Sequence, residues 1–218
     1  MVVMRSPIRS ALLVLAAAGF VLYPLLRGFG PETGLAGAEH FASVTWVVAH
    51  LAAMVGFVTI ALVLRGDAWT PRDGGGGAGR RTTELLAWLS ASALLPYYGA
   101  EAFGLNAMGK WVEAGGTPSA VDIADDFRFA PTPLVVFAVG WILLGWAAVR
   151  LVLDHRTGAR LERWGVGITS AMLVLFLPQF FAPGPVRIAH GVVLGLGLMM
   201  WAVSTAATAD TRPTRSAS

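Results

Sequence analysis

Long apolar stretches separated by short polar connections form the dominant pattern of this chain of 218 residues. Each stretch is close to the length that matters for a membrane, because a helix needs about 20 mainly apolar residues to cross a hydrocarbon core about 30 Å thick. The pattern therefore predicts an all-α fold, a polytopic transmembrane bundle of six helices in a single domain. The predicted helices cover residues 11–27, 43–65, 84–105, 132–153, 164–182 and 186–207.

A faint internal repeat groups the six predicted helices into three related helical hairpins. Prolines stand near the same end of the first, third and fifth helices, at Pro24, Pro96 and Pro178. The second and sixth helices share an alanine–histidine pair ending at His50 and His190, and the fourth has apolar residues there. Proline is common in membrane helices, so the pattern favours a repeat without requiring one.

Composition agrees with a membrane protein. Charged residues make up 13% of the chain, whereas a soluble domain has about 25%. Cysteine is absent, which excludes disulfides, thiolate metal sites and cysteine nucleophiles. The excess of arginine indicates membrane topology rather than nucleic-acid binding. The lipid bilayer is therefore the expected partner.

The connections between the predicted helices differ in character. Residues 65–82 contain the glycine run Gly74–Gly77 and several arginines, which predicts a flexible, solvated linker. Residues 119–129, within the long connection 106–131, alternate acidic and apolar positions. That alternation predicts a short amphipathic helix on the membrane surface or over the end of the bundle. The polar tail 208–218 is predicted to be disordered.

The distribution of basic residues predicts the orientation in the membrane. With the N-terminus inside, twelve basic residues face the cytoplasm and four face outwards, which is a strong positive-inside signal. The first apolar run is interpreted as a retained helix, because the small-residue cleavage pattern at 36–38 lies far beyond its end. A multi-pass protein of the bacterial inner membrane with both termini cytoplasmic is expected. The cytoplasmic set is Arg5, Arg9, Arg65, Arg72, Arg80, Arg81, Arg150, Arg156, Arg160, Arg163, Arg212 and Arg215, and the outer set is Arg27, Lys110, Arg128 and Arg187.

Several polar residues then fall at one depth in the outer half of the membrane. His50 lies seven residues beyond Ser43, or about 10 Å at 1.5 Å per residue. Glu101 lies about one turn from the outer end of the third helix, on the same face as Tyr97 and Tyr98. Because unpaired charge in a bilayer is costly, these groups are expected to line a polar pocket. The predicted ligand- or cofactor-binding residues are His50, Tyr97, Tyr98, Glu101, Gln179, Arg187 and His190.

Three functional interpretations of the polar residues at this depth compete. His50, Glu101 and His190 supply the ligand types for a divalent metal, which would activate water in an intramembrane hydrolase. His50 and His190 on facing helices would also suit the axial positions of a b-type haem. Glu101 alone would serve a proton or small-solute path. No local metal or nucleophile motif is present, so the sequence assigns no catalytic residue.

Structural roles also account for the same residues. His50 and His190 can be neutral and bonded to backbone carbonyls, and Gln179 can form an interhelical hydrogen bond. Glu101 can pair with Arg187 at the membrane interface. A structural or partner-binding subunit without chemistry therefore remains an alternative.

Three short strings resemble sequences found in a group of membrane proteins. They are LPYYGAEAFG at 95–104, FLPQFF at 176–181 and IAHG at 188–191. They look like those of uncharacterised six-helix integral membrane proteins of high-GC bacteria. The resemblance implies an integral membrane location and no particular activity.

Taken together, the residues favour a multi-pass membrane protein with a polar ligand- or cofactor-binding pocket near its outer face. The expected ligand is a small molecule or a lipid. The same residues leave a metal-dependent hydrolase as the alternative enzyme interpretation.

Overall fold

The computed structural model describes residues 6–68 and 77–210, and these parts are helical without any strand. The all-α prediction is therefore confirmed for the described chain. A π-helical turn (Ala100–Leu105) and a 3-10 turn (Pro118–Asp122) interrupt the α-helices. The α-helices are α1 (Ser6–Arg27), α2 (Gly34–Ala42), α3 (Val44–Ala68), α4 (Gly77–Gly99), α5 (Asn106–Glu113), α6 (Ile123–Phe129), α7 (Pro131–Asp154), α8 (Arg160–Val174), α9 (Phe176–Gln179) and α10 (Gly184–Asp210).

Within the part of the chain that the structure describes, four helices are long and apolar enough to cross a membrane. They are α1, α3, α7 and α10, over Pro7–Arg27, Val44–Ala68, Pro131–Asp154 and Gly184–Ala207. They correspond to the first, second, fourth and sixth predicted helices, with ends that differ by a few residues. Their composition supports a membrane protein.

The third and fifth predicted helices are less regular than the sequence indicated. The third begins earlier, at Gly77, and changes into the π-helical turn after Gly99. The fifth is divided at Leu175 into α8, which has 15 residues, and the short α9. Both irregularities lie within one helical turn of a proline, Pro96 or Pro178, which lacks the N–H needed for a helical hydrogen bond.

Parts of the predicted polar segments lie outside the described residues. These are 69–76 of the predicted linker and 211–218 of the predicted tail. Helix α10 runs to Asp210, so it includes the first residues of that tail. The topology residues Arg5, Arg72, Arg212 and Arg215 also lie outside the described ranges.

The long helices pack in a closed arrangement around an aromatic core. Helix α1 packs against α3 and α10, α4 packs against α3 and α7, and α8 packs against α7 and α10. The core contains Phe20, Phe57, Phe176 and Trp201, all buried. Phe57 contacts both Phe20 and Phe176 through edge-on or tilted rings 5.1 and 5.8 Å apart.

Charged residues join the helices at the end of the bundle where α1 begins. Arg9 donates to Asp67 Oδ2 at 2.9 Å and to Thr205 Oγ1 at 2.6 Å. His155 Nε2 lies 3.4 Å from Asp67 Oδ2 and 3.7 Å from Glu162 Oε1. This Arg9 cluster (Arg9, Asp67, His155, Glu162 and Thr205) connects α1, α3, α8 and α10 with the residue after α7.

Close contact between α8 and α10 depends on Gly165. A Cβ atom at this position would lie 2.6 Å from Trp201 N and 2.9 Å from Gly197 O, both backbone atoms. Two residues later, a Cβ atom at Gly167 would meet no atom within 4 Å. The two glycines therefore differ in packing while sharing one helix.

We expect Gly165→Ala to lower the free energy of unfolding by about 1–3 kcal/mol, because the added methyl group forces two backbones apart. Gly167→Ala is the matched control and should be neutral or stabilising by up to about 1 kcal/mol, because alanine favours helix. Thermal unfolding in one detergent checks both. Equal effects at the two positions would contradict the packing shown by α8 and α10.

Candidate functional site

The connection between α4 and α7 folds over the end of the bundle where α1 ends. Its α5, 3-10 turn and α6 pack with α2 around a second small core. Phe41 and Val121 are among the buried residues of that core. The predicted amphipathic helix at 119–129 corresponds to the 3-10 turn and α6. This position brings Arg128, near the end of α6, over the bundle.

The π-helical turn fixes the position of Glu101. Trp46 Nε1 donates a hydrogen bond of 2.7 Å to the backbone carbonyl of Glu101. Trp46 itself is held at the start of α3, where Ser43 Oγ accepts the Trp46 N–H at 3.2 Å and acts as an N-cap. A π-helical turn at such a place is typical of functional sites.

Four charged side chains form a continuous chain of ion pairs. Arg128 donates to both oxygens of Glu101, from Nε at 2.6 Å and from Nη2 at 2.8 Å. Its Nη1 donates to Glu32 Oε2 at 2.6 Å. Arg27 donates to the other oxygen of Glu32 at 2.7 Å. The order is therefore Glu101, Arg128, Glu32 and Arg27, with alternating charge.

The electrostatic environment outside the spanning helices favours the ionised forms. Burial raises the pKa of Glu32, but the neighbouring charges of Arg27 and Arg128 outweigh it, and the net pKa lies below the usual value. Burial also disfavours the charge of Arg128. Its hydrogen bonds and charge contacts with Glu101 and Glu32 nevertheless raise its pKa above the usual value. The ion pair between Glu32 and Arg128 is therefore retained at neutral pH.

His50 lies next to the chain of ion pairs but forms no close hydrogen bond with it. Its Nδ1 donates to the backbone carbonyl of Trp46 at 2.7 Å. Its Nε2 is 3.8 Å from Glu101 Oε2, which is too long for a good hydrogen bond. The ring of Tyr23 contacts His50 edge-on at 5.5 Å.

A cavity of about 440 Å³ opens beside the ion-pair chain. This volume falls within the range of about 300–1,000 Å³ that is usual for ligand pockets. Apolar and aromatic side chains form most of the wall, and several charged groups face the same space. The lining residues are Tyr23, Arg27, His50, Tyr97, Tyr98, Glu101, Arg128, Phe129, Leu134, Phe137, Ala138, Leu177, Phe180, Phe181 and Arg187.

The rim of the cavity is apolar. Phe129 is 69% exposed and Phe181 is 88% exposed, and Leu134 is also exposed. Deeper in the wall, Tyr97 stacks on Phe137 with ring centroids 4.1 Å apart. The cavity is thus bounded by apolar groups at its edge and by aromatic rings and charges inside.

The predicted site residues are only partly brought together. His50, Tyr97, Tyr98, Glu101 and Arg187 line the cavity. Gln179 and His190 are not among the lining residues: Gln179 is buried at the end of α9, and His190 Nε2 donates to the carbonyl of Met172 at 2.8 Å.

The site contains charged and aromatic groups that were not predicted from the sequence: Tyr23, Arg27, Glu32 and Arg128, with the wall residues Phe129, Phe137, Phe180 and Phe181. The two arginines already stood out as members of the outer basic set. The sequence did not show which carboxylates pair with these two arginines. The sequence indicated Arg187 as a partner of Glu101, whereas the structure pairs Glu101 with Arg128.

The structure shows which groups the predicted metal and haem ligands His50, Glu101 and His190 contact within the chain. Among the described residues, no three histidine, aspartate or glutamate side chains are grouped to hold a metal ion. Both oxygens of Glu101 are occupied by Arg128, and the Nε2 of His190 is occupied by Met172. A ligand set of His50, Glu101 and His190 would compete with the two hydrogen bonds from Arg128 at Glu101. Each histidine bonds a carbonyl through one ring nitrogen and retains the other.

Comparison of the chain with protein-family models, with curated proteins and with solved structures gives no match. The functional conclusion therefore depends on the cavity itself.

Proposed function

We propose that the chain is a six-span protein of the bacterial inner membrane with both termini in the cytoplasm. The excess of basic residues at one end of the bundle supports this orientation. Helix α4 with its π-helical turn, and α8 with α9, would supply the third and fifth spans. The packing of α1 with α3, of α4 with α7 and of α8 with α10 supports three hairpins. Membership of the six-helix group of high-GC bacteria belongs to the same proposal.

The proposed function is to bind an amphiphilic small molecule or lipid in the cavity, near the outer face. The single observation that carries it is an apolar, aromatic cavity with an ion-pair chain on one wall. An apolar wall with few fixed polar groups is the usual composition of a ligand site. The exposed apolar rim suits entry from the lipid rather than from water.

Binding fits this arrangement better than hydrolysis. Glu101 accepts a hydrogen bond from Arg128 at each of its two oxygens, so it is held as the partner of a cation rather than presented to water as a general base. The aromatic rings offer contact area to an apolar chain. In this proposal the charged residues hold the wall in place and orient the polar end of the ligand.

Filling the cavity tests the proposal. Ala138 lines the cavity, and its neighbour Val139 is 45% exposed and is not a lining residue. We expect Ala138→Trp to reduce binding of dodecanamide, an uncharged amphiphile, by about tenfold or more, because the indole occupies the space of the chain. Val139→Trp is the control and should bind as the unchanged protein does.

Native mass spectrometry of protein in lipid nanodiscs measures these affinities directly. Both variants should retain the thermal stability of the unchanged protein to within a few degrees. If dodecanamide fails to bind, or binds equally to the Ala138→Trp variant, the cavity is not a ligand site. A structural or partner-binding role would then be favoured.

A further inference from the structure

We infer that Arg187 binds the anionic group of the amphiphile, a carboxylate or phosphate, while the apolar chain lies in the aromatic part of the cavity. This inference rests on the proposed function and adds the chemical class of the ligand. It makes Arg187 the residue that determines specificity at this site.

The charges around the cavity do not balance without a further anion. Arg27, Arg128 and Arg187 carry three positive charges, and Glu32 and Glu101 carry two negative charges. Both carboxylates are fully used by Arg27 and Arg128. One positive charge, that of Arg187, therefore remains at a partly buried position.

Arg187 has no acidic partner among the residues that the structure describes. Its guanidinium group lies over the ring of Phe29 at 5.0 Å and over that of Phe180 at 5.4 Å. Aromatic faces hold and orient a cation, but they do not use its N–H donors. Burial lowers solvation of this group, which strengthens its attraction for an anion.

The backbone around Arg187 adds to the same preference. Arg187 lies in the first turn of α10, which begins at Gly184. The N-terminus of a helix carries partial positive charge and favours an anion over a cation. An arginine in this turn without a carboxylate partner is electrostatically unfavourable, and a bound anion would remove the cost.

The cavity indicates that the anion belongs to a larger molecule. Arg187 shares the wall with Leu177, Phe180 and Phe137. These side chains offer nothing to a free inorganic ion, whereas they suit an alkyl chain. The inferred ligand therefore has an anionic head near Arg187 and a tail towards Phe137.

Three small probes separate charge from chain in nanodisc-embedded full-length protein. Dodecanoate and dodecanamide have the same chain and similar head size, and differ in charge. Acetate has the charge without the chain. We expect dodecanoate to bind about tenfold or more tightly than dodecanamide, since a hydrogen bond to a charged group is worth roughly this factor. Acetate should neither bind measurably nor displace dodecanoate.

Variants of Arg187 assign the preference to its side chain. Arg187→Gln should remove the difference between dodecanoate and dodecanamide while leaving dodecanamide bound. Arg187→Lys should retain most of the preference, because it keeps the positive charge. It also shows that the site tolerates substitution. Lys110→Gln, outside the cavity, is the control and should leave the preference unchanged.

The possible outcomes separate the two proposals. Equal affinities for dodecanoate and dodecanamide, with both lost in the Ala138→Trp variant, would overturn the anion inference and leave the ligand site. Absence of binding by both amphiphiles would overturn the proposed function itself. Displacement of dodecanoate by millimolar acetate would show that a free anion, rather than an amphiphile, occupies Arg187.

Discussion

Replacing Arg128 with alanine is expected to lower the free energy of unfolding by about 3–5 kcal/mol, because Glu101 would remain buried without its counter-charge. The side chain of Glu101 is 6% exposed, and Arg128 satisfies both of its oxygens. Glu32 would also lose one of its two arginine partners. Thermal or denaturant unfolding in detergent measures the loss.

Two further variants show whether the loss comes from the ion pair. Arg128→Lys keeps the charge but not the planar fork that reaches two oxygens, so an intermediate loss is expected. In the double variant Arg128→Ala with Glu101→Gln, the buried negative charge is absent. It should therefore be more stable than the sum of the two single losses predicts. If the two losses of unfolding free energy are strictly additive, the Glu101–Arg128 ion pair does not contribute to stability.

Replacing Asp67 with asparagine is expected to lower the free energy of unfolding by about 3 kcal/mol, since it leaves Arg9 without its buried acidic partner. The side chains of Arg9 and Asp67 are 11% and 7% exposed. His155 would lose one of the two carboxylates near its Nε2. Several helices meet at this cluster, so the loss should appear in global unfolding.

A more exposed ion pair at the same end of the bundle provides the control. Arg65 is 63% exposed and lies 3.9 Å from Glu84. Arg65→Gln should change stability by only about 0–1 kcal/mol, because exposed pairs contribute little. If Asp67→Asn and Arg65→Gln have equally small effects, the Arg9 cluster does not hold the helices together.

The helices themselves were largely predictable because their signal is local. The lengths of apolar stretches identified α1, α3, α7 and α10 to within a few residues. The division of the fifth helix at Leu175 was not predicted, although Pro178 marked the region. A proline indicates that a hydrogen bond is lost, but the shape of the break depends on what packs beside it.

For the candidate site, the sequence indicated several of the residues that share the cavity but not how the charged groups pair. Counting residues from the helix ends placed His50 and Glu101 at one level, and both line the cavity. His190 was expected at the same level, yet its ring turns to the carbonyl of Met172. Depth along a helix follows from the sequence, whereas the direction of a side chain around the bundle depends on how the helices are rotated and packed.

The amino-acid sequence was enough to show that this chain is helical and apolar enough for a membrane. These properties follow from helix length and hydropathy, which each segment carries on its own. The sequence indicated the polar groups near the end of the bundle where α1 ends, but not the buried Arg9 cluster at the other end. The tertiary structure alone decided which charges meet. Glu101 and Glu32 lie 27 and 96 residues from Arg128, and only the folding of the α4–α7 connection over the bundle joins them. In the folded chain Glu101 pairs with Arg128, and Glu32 pairs with Arg27 and Arg128. Arg187 is left at the cavity without a carboxylate partner among the described residues, because distance in the folded structure, and not separation along the sequence, determines which charges pair.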